Sequence, residues 1–138
     1  MSDEASFDLC FGCGQRNAQG LRLRFREAGA GAVETSYVAP DHFAGAPGVI
    51  HGGIQAAILD EVLGHAAHAG SGEDDFDVVT VDFRLRYRRP APTGVPLTIR
   101  GRLLRTEQRD FFVEGEIVDA TGRVLTQAEA RWRRVERR

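Results

Sequence analysis

Hydrophobic and polar residues alternate with a period of two along much of this chain, which is the pattern of strands that bury one face. Leucines and a phenylalanine alternate with arginines at residues 21–26, and a glycine-rich turn at residues 29–31 follows. The predicted strands are residues 21–26, 33–38, 79–88, 97–104, 111–118 and 124–132. Because most connections between them are short, consecutive strands are expected to be antiparallel.

One segment lacks this alternation and predicts a helix. From residue 54 to about residue 69 there is no proline, Gly64 is the only interior glycine, and apolar residues fall nearly all the way round. Such a helix is expected where a sheet wraps it. The chain is therefore predicted to be one α+β domain, residues 1–138, with a long central helix wrapped by an antiparallel sheet of about five to six strands.

The composition fits an ordinary globular domain and argues against several classes of protein. Of the 138 residues, 42% are hydrophobic and 28% charged, and the net charge of −2 argues against a nucleic-acid binder. No apolar run approaches the roughly 20 residues that span a membrane, and the acidic residues 1–4 do not resemble a secretory signal. Cys10 and Cys13 make no disulfide framework. We expect a cytoplasmic protein that binds neither membranes nor nucleic acid.

The segment His51-Gly52-Gly53 at the start of the predicted helix is the first candidate site. A helix N-terminus presents unpaired N–H groups and a partial positive charge, and glycine lets a ligand approach the backbone closely. About two turns further on, Asp60 places a carboxylate on an otherwise apolar helix, which is costly unless the carboxylate is used. These features together predict a site that polarises a carbonyl oxygen and attacks with a nucleophile or base.

An ordered set of short motifs resembles the hotdog-fold acyl-CoA thioesterases of the PaaI-like branch. The motifs cover nearly the whole chain and are Cys10-Phe11-Gly12-Cys13-Gly14, Asn17, Gly20, Leu21, Leu23, Phe25, Pro47-Gly48-Val49-Ile50-His51-Gly52-Gly53, Leu59-Asp60-Glu61 and residues 80–90. The resemblance implies the hotdog fold and hydrolysis of an acyl-CoA or aroyl-CoA to free acid and CoA. It implies no metal and no other cofactor.

The resemblance also implies catalytic roles. The N–H of Gly52 would polarise the thioester carbonyl, Asp60 would act as nucleophile or general base, and Thr80 would position the water or the carboxylate. Many relatives carry an Asn or Gln ahead of the two glycines, where this chain has Gly45. His42 is the candidate to replace that amide.

Four further residues are predicted to contact or shape the substrate site. His51 and Gly53 belong to the loop that enters the helix, and the His51 ring is expected to hold that loop by hydrogen bonds. Arg88 and Arg89 are candidates for binding the phosphates of CoA. The arginines within residues 84–88 are otherwise the solvated face of a strand.

Helix geometry predicts an assembly. Gly52 and Asp60 are eight residues apart, which is roughly 12 Å along one helix, so one thioester carbon cannot be close to both. A second, antiparallel copy of the helix would bring its Asp60 toward the first copy's Gly52, and twofold symmetry would create two equivalent sites. We expect a homodimer, or a dimer of dimers, with shared active sites.

Other assignments of these side chains stay open. Glu61 competes with Asp60 for the catalytic role, but it points to a different sector of the helix, where pairing with His65 is the simpler account. Glu61, His65 and His68 could hold a metal but lack a further ligand. The paired cysteines, residues 10 and 13, are weak evidence for zinc and are expected to be structural thiols.

Two rival functions stay open as well. One is a non-catalytic hotdog protein that binds acyl-CoA. The other is a hotdog enoyl-CoA hydratase, in which an Asp and a His are spaced several residues apart. Asp41 and His42 are adjacent in this chain and do not match that pattern.

Overall fold

The computed structural model describes residues 8–72 and 76–136, in which one long helix packs against one antiparallel sheet. The elements are β1 Arg26–Glu27, β2 Ala32–Val38, α1 Gly52–Ser71, β3 Phe76–Tyr87, β4 Pro96–Glu107, β5 Asp110–Val118 and β6 Val124–Glu136. The six strands lie in the order β1-β2-β4-β5-β6-β3, and each neighbouring pair is antiparallel. This confirms the predicted α+β architecture and is consistent with the hotdog fold.

The core lies between α1 and the sheet because the helix buries apolar side chains on several sides. Ile58, Leu59 and Leu63 are fully buried. Small residues let the helix approach: a Cβ added at Gly115 would stand 2.9 Å from Leu63 Cδ2, and one at Gly64 would stand 2.7 Å from the Trp132 ring. Within the described residues, no helix is both long and apolar enough to cross a membrane.

The predicted first strand, residues 21–26, is wrong for residues 21–25, because only Arg26–Glu27 pair with β2. The alternation itself is real, since Leu21 and Leu23 are buried. However, their N–H groups donate to the carbonyls of Phe11 and Gly12, at 2.7 and 2.9 Å. The segment therefore uses its backbone hydrogen bonds on the loop that carries the cysteines and not on the sheet.

Several predicted boundaries also change. Helix α1 begins before residue 54 and continues to Ser71, where Gly72 ends it in the left-handed conformation with a φ of 72°. Strand β6 continues past Trp132 to Glu136, because residues 133–136 pair with residues 76–79 of β3. Residues 1–4, and residues 73–75 between α1 and β3, lie outside the described residues.

A buried polar pair anchors the start of α1 to the sheet. Gln55 is 3% exposed, and its Nε2 donates to the Ile50 carbonyl at 2.9 Å. Its Oε1 accepts a hydrogen bond from Thr126 of β6, which is fully buried. Because both side chains are satisfied only by each other and the backbone, they hold the loop before α1 in one position.

We expect Gln55→Leu to lower the free energy of unfolding by about 2–3 kcal/mol, because it leaves the Ile50 carbonyl and the Thr126 hydroxyl buried without their partner. Chemical denaturation measures this change. The double variant Gln55→Leu/Thr126→Val should lose less free energy of unfolding than the sum of the losses of the two single variants. Strict additivity would show that the pair is not coupled.

Candidate active site

The loop entering α1 is fixed by His51, which caps the helix. Its Nδ1 accepts a hydrogen bond from the N–H of Gly53 at 2.9 Å. The backbone N–H of His51 donates to the Phe43 carbonyl at 2.9 Å. The structure thus uses the ring of His51, and one of the two glycine N–H groups, to shape the loop. Gly53 therefore has its N–H engaged by a side chain and is not free to donate to a substrate.

Gly52 is the first residue of α1, and its N–H is one of the groups that a helix leaves without an internal partner. Among the described residues, no acceptor is bonded to it. Its carbonyl accepts a hydrogen bond from the hydroxyl of Tyr87 at 2.7 Å. Tyr87 was not predicted from the sequence, since a tyrosine at the end of a strand carries no signal of this contact.

A hydrogen bond joins Asp60 of α1 to Thr80, an exposed residue of β3. The Thr80 hydroxyl donates to Asp60 Oδ1 at 2.8 Å. Partial burial raises the pKa of Asp60 above its usual value, the hydrogen bond from Thr80 acts to lower it, and the nearby Glu61 adds a further rise. A held carboxylate whose proton affinity is increased is suited to basic or nucleophilic chemistry.

The two parts of the candidate site lie at different places along α1 and β3. Thr80, near the start of β3, contacts Asp60, while Tyr87, the last residue of β3, contacts Gly52. Eight residues of helix put Gly52 and Asp60 roughly 12 Å apart. Within one chain, therefore, the helix N-terminus and the carboxylate cannot act on the same carbon atom.

Arg88 and Arg89 follow directly after β3, next to the Tyr87 that contacts the start of α1. Their N–H groups both donate to the Leu125 carbonyl, at 2.8 and 3.0 Å. The Arg88 side chain donates to Gln127, and that of Arg89 to the Val124 carbonyl at 3.3 Å. Both side chains are exposed and can reach solvent. The two residues follow Tyr87, which places them at the end of β3 that contacts Gly52.

Glu61 lies in a different environment from Asp60. It pairs with His65, with 3.0 Å between Oε2 and Nε2, as the spacing along the helix predicted. His68 does not join them, because its ring packs against Phe76 at 5.1 Å between centroids. Instead, the structure brings Cys10 and Cys13 to Glu61. The sequence did not predict this cluster, because it joins segments far apart in the chain.

The family model described as the thioesterase superfamily matches residues 47–126. The chain belongs to the thioesterase superfamily. The matched range contains Gly52, Asp60 and Thr80. The hotdog-fold resemblance and the prediction of a thioester hydrolase are thereby confirmed.

Individual relatives agree with the family match. The chain is 34% identical over 106 residues to "Putative esterase SSO2140" of Saccharolobus solfataricus. The matched segment covers 77% of this chain and 72% of that protein. It is 31% identical over 90 residues to the acyl-coenzyme A thioesterase THEM4 of Rattus norvegicus, covering 64% of this chain but only 37% of that protein. The solved structure of RHA08564, a thioesterase superfamily protein, superposes with a TM-score of 0.78 at 32% identity, over 86% of this chain and 59% of that one.

Proposed function

We propose that the protein hydrolyses an acyl-CoA or aroyl-CoA to free acid and CoA, in the manner of PaaI-like thioesterases. The observation that carries the proposal is the hydrogen bond of 2.8 Å by which Thr80 holds the Asp60 carboxylate. That carboxylate lies on the same helix whose first residue, Gly52, presents a backbone N–H. A held carboxylate and a fixed N–H donor are the two groups that acyl transfer requires.

The proposed reaction is the hydrolysis of a thioester bond by water. Asp60 takes a proton from a water molecule while the water oxygen bonds to the thioester carbon. Alternatively, the Asp60 carboxylate bonds to that carbon itself, loss of the CoA thiolate leaves an anhydride, and water hydrolyses the anhydride to the free acid and the restored Asp60 carboxylate. Negative charge gathers on the carbonyl oxygen, where the Gly52 N–H stabilises it. The carbon–sulfur bond then breaks, and the CoA thiolate takes up the proton. Thr80 keeps the reacting carboxylate oriented.

The proposed active form is a homodimer, or a dimer of dimers, in which Gly52 of one subunit faces Asp60 of the other. The distance along α1 requires two chains. The edge of the sheet supplies a second argument: β3 pairs within the described chain only with β6 and exposes Val79, Val81 and Tyr87, at 47%, 37% and 53%. An exposed apolar edge strand is suited to pair with a copy of itself.

The proposed substrate class rests on similar proteins and on two arginines. A Streptococcus mutans protein of the same fold, with a TM-score of 0.72 at 19% identity, is solved bound to acetyl-CoA. A Ralstonia eutropha protein with a TM-score of 0.73 at 32% identity is described as phenylacetic acid degradation-related. Arg88 and Arg89 are suited to bind the CoA phosphates at the Gly52 end of the site. The cytoplasmic location stays a prediction.

A panel of acyl- and aroyl-CoA thioesters tests the proposal, with release of free thiol as the readout. We expect turnover of at least one of them. Tight binding of acyl-CoA without thiol release would favour the non-catalytic binding protein. Hydration of an enoyl-CoA without thiol release would favour the hydratase.

Thr80→Ala should lower kcat by about tenfold, because it removes one orienting hydrogen bond and leaves the reacting group in place. That bond lowers the pKa of Asp60, so its loss should also move the acid limb of the pH–rate profile to higher pH. Thr80→Ser restores the hydroxyl and should recover both the rate and the profile. If serine recovers neither, the threonine methyl group acts through packing.

A further inference from the structure

The loop that carries Cys10 and Cys13 is ordered by its own backbone hydrogen bonds. The N–H of Gly14 donates to the Cys10 carbonyl at 2.9 Å, and the N–H of Arg16 to the Asp8 carbonyl at 3.1 Å. The segment at residues 21–23 donates back to the loop through two further backbone bonds. Both thiols are free and half-buried, so the loop presents two sulfur atoms from a fixed backbone.

A third potential ligand comes from α1. Glu61 Oε1 lies 3.7 Å from Cys10 Sγ, and one ligand atom from each of Cys10, Cys13 and Glu61 lies within 4.8 Å of the others. The carboxylate fits against Gly12, where a Cβ would stand 2.1 Å from Oε1. Only glycine between the cysteines therefore leaves room for this side chain.

A residue outside the cluster holds the carboxylate in place. His65 Nε2 lies 3.0 Å from Glu61 Oε2, which leaves Oε1 directed at the thiol of Cys10. A divalent cation between the carboxylate and the two sulfur atoms would stabilise the thiolate forms of the cysteines.

We propose that Cys10, Cys13 and Glu61 bind a thiophilic divalent cation, of which Zn²⁺ is the clearest example. Ligand atoms of a tetrahedral zinc stand about 3.4–3.8 Å apart, and the 3.7 Å between Cys10 Sγ and Glu61 Oε1 falls in that range. Binding forms two metal–sulfur bonds, and the two thiol protons pass to solvent. His65 orients the carboxylate from outside the cluster, and a water molecule completes the coordination.

Such an ion would take no part in the proposed reaction. It would fasten the cysteine loop to α1 one residue away from Asp60, on a sector of the helix that the proposed reaction does not use. A bound ion would contradict the expectation of no metal that the resemblance implies. Two cysteines alone are too few ligands, and α1 supplies a third from Glu61.

Cobalt substitution tests the site directly. Titration of the reduced protein with Co²⁺ should produce thiolate-to-metal charge-transfer absorption that saturates at one ion per chain, and Zn²⁺ should abolish it. Cys10→Ser, Cys13→Ser and Glu61→Gln should each weaken binding by about tenfold or more. Asp60→Asn is the matched control: it neutralises the neighbouring carboxylate outside the cluster and should leave binding unchanged.

Because a cysteine variant could fail to fold, the wild-type chain is tested alone as well. One equivalent of Zn²⁺ should raise its melting temperature and slow the reaction of both thiols with a thiol reagent. The proposal is overturned if neither changes, if Asp60→Asn weakens binding as much as Glu61→Gln, or if Cys10 and Cys13 form a disulfide whose reduction yields no metal binding.

Discussion

Replacing Asp60 with asparagine is expected to lower kcat for a CoA thioester by about 10³-fold while changing KM only a few-fold, because the variant removes the nucleophile or base and conserves shape. The asparagine carbonyl can still accept the hydrogen bond that Thr80 donates to Oδ1. The fold and substrate binding should therefore be retained. Steady-state kinetics on the best substrate of the panel, with calorimetry of substrate binding, measures both effects.

The matched control for this prediction is Glu61→Gln. Glu61 is the next carboxylate along α1, but it is bonded to His65 and lies beside the cysteines. Its substitution is expected to cost stability more than turnover. Near-native turnover by Asp60→Asn together with loss of turnover by Glu61→Gln would mean that the catalytic carboxylate is Glu61.

Most of the fold was predictable because its strands bury one face and expose the other. Strands β2 and β5 begin and end within a residue of their predicted bounds. The same alternation wrongly predicted a strand at residues 21–25, because Leu21 and Leu23 can be buried by any extended chain and need no pairing with a sheet. Pairing depends on where the N–H groups point, and Arg22, with a φ of 54°, turns the backbone away from a regular strand. A hydrophobic pattern carries no information about that turn.

The candidate site was predictable where it depends on short spacing. The order of two glycines, a helix and Asp60 can be read along one segment, and the resemblance adds Thr80. The contact of Tyr87 with Gly52, and that of the cysteines with Glu61, join residues that are 35 and 51 apart in the chain. Such contacts follow from how the sheet and the loop pack on α1, and no local spacing encodes them.

In the proposed homodimer, each active site is completed by two subunits. Gly52→Pro tests the donor, because it removes the N–H at the first helical position, where proline is tolerated. His51 already has the extended conformation that precedes proline, with a φ of −53° and a ψ of 137°. Gly52→Ala is the matched control, since it keeps the N–H and its Cβ would stand 3.5 Å from the Tyr87 hydroxyl.

Co-expression of Gly52→Pro chains with Asp60→Asn chains is the most direct measurement. Each parent must first be shown to be folded, dimeric and inactive. Random pairing makes half of the dimers mixed, and each mixed dimer has one intact site out of two. Shared active sites therefore predict recovery of about a quarter of the wild-type activity. Mixed dimers that form and stay inactive would contradict it, because each site would then be built within a single chain.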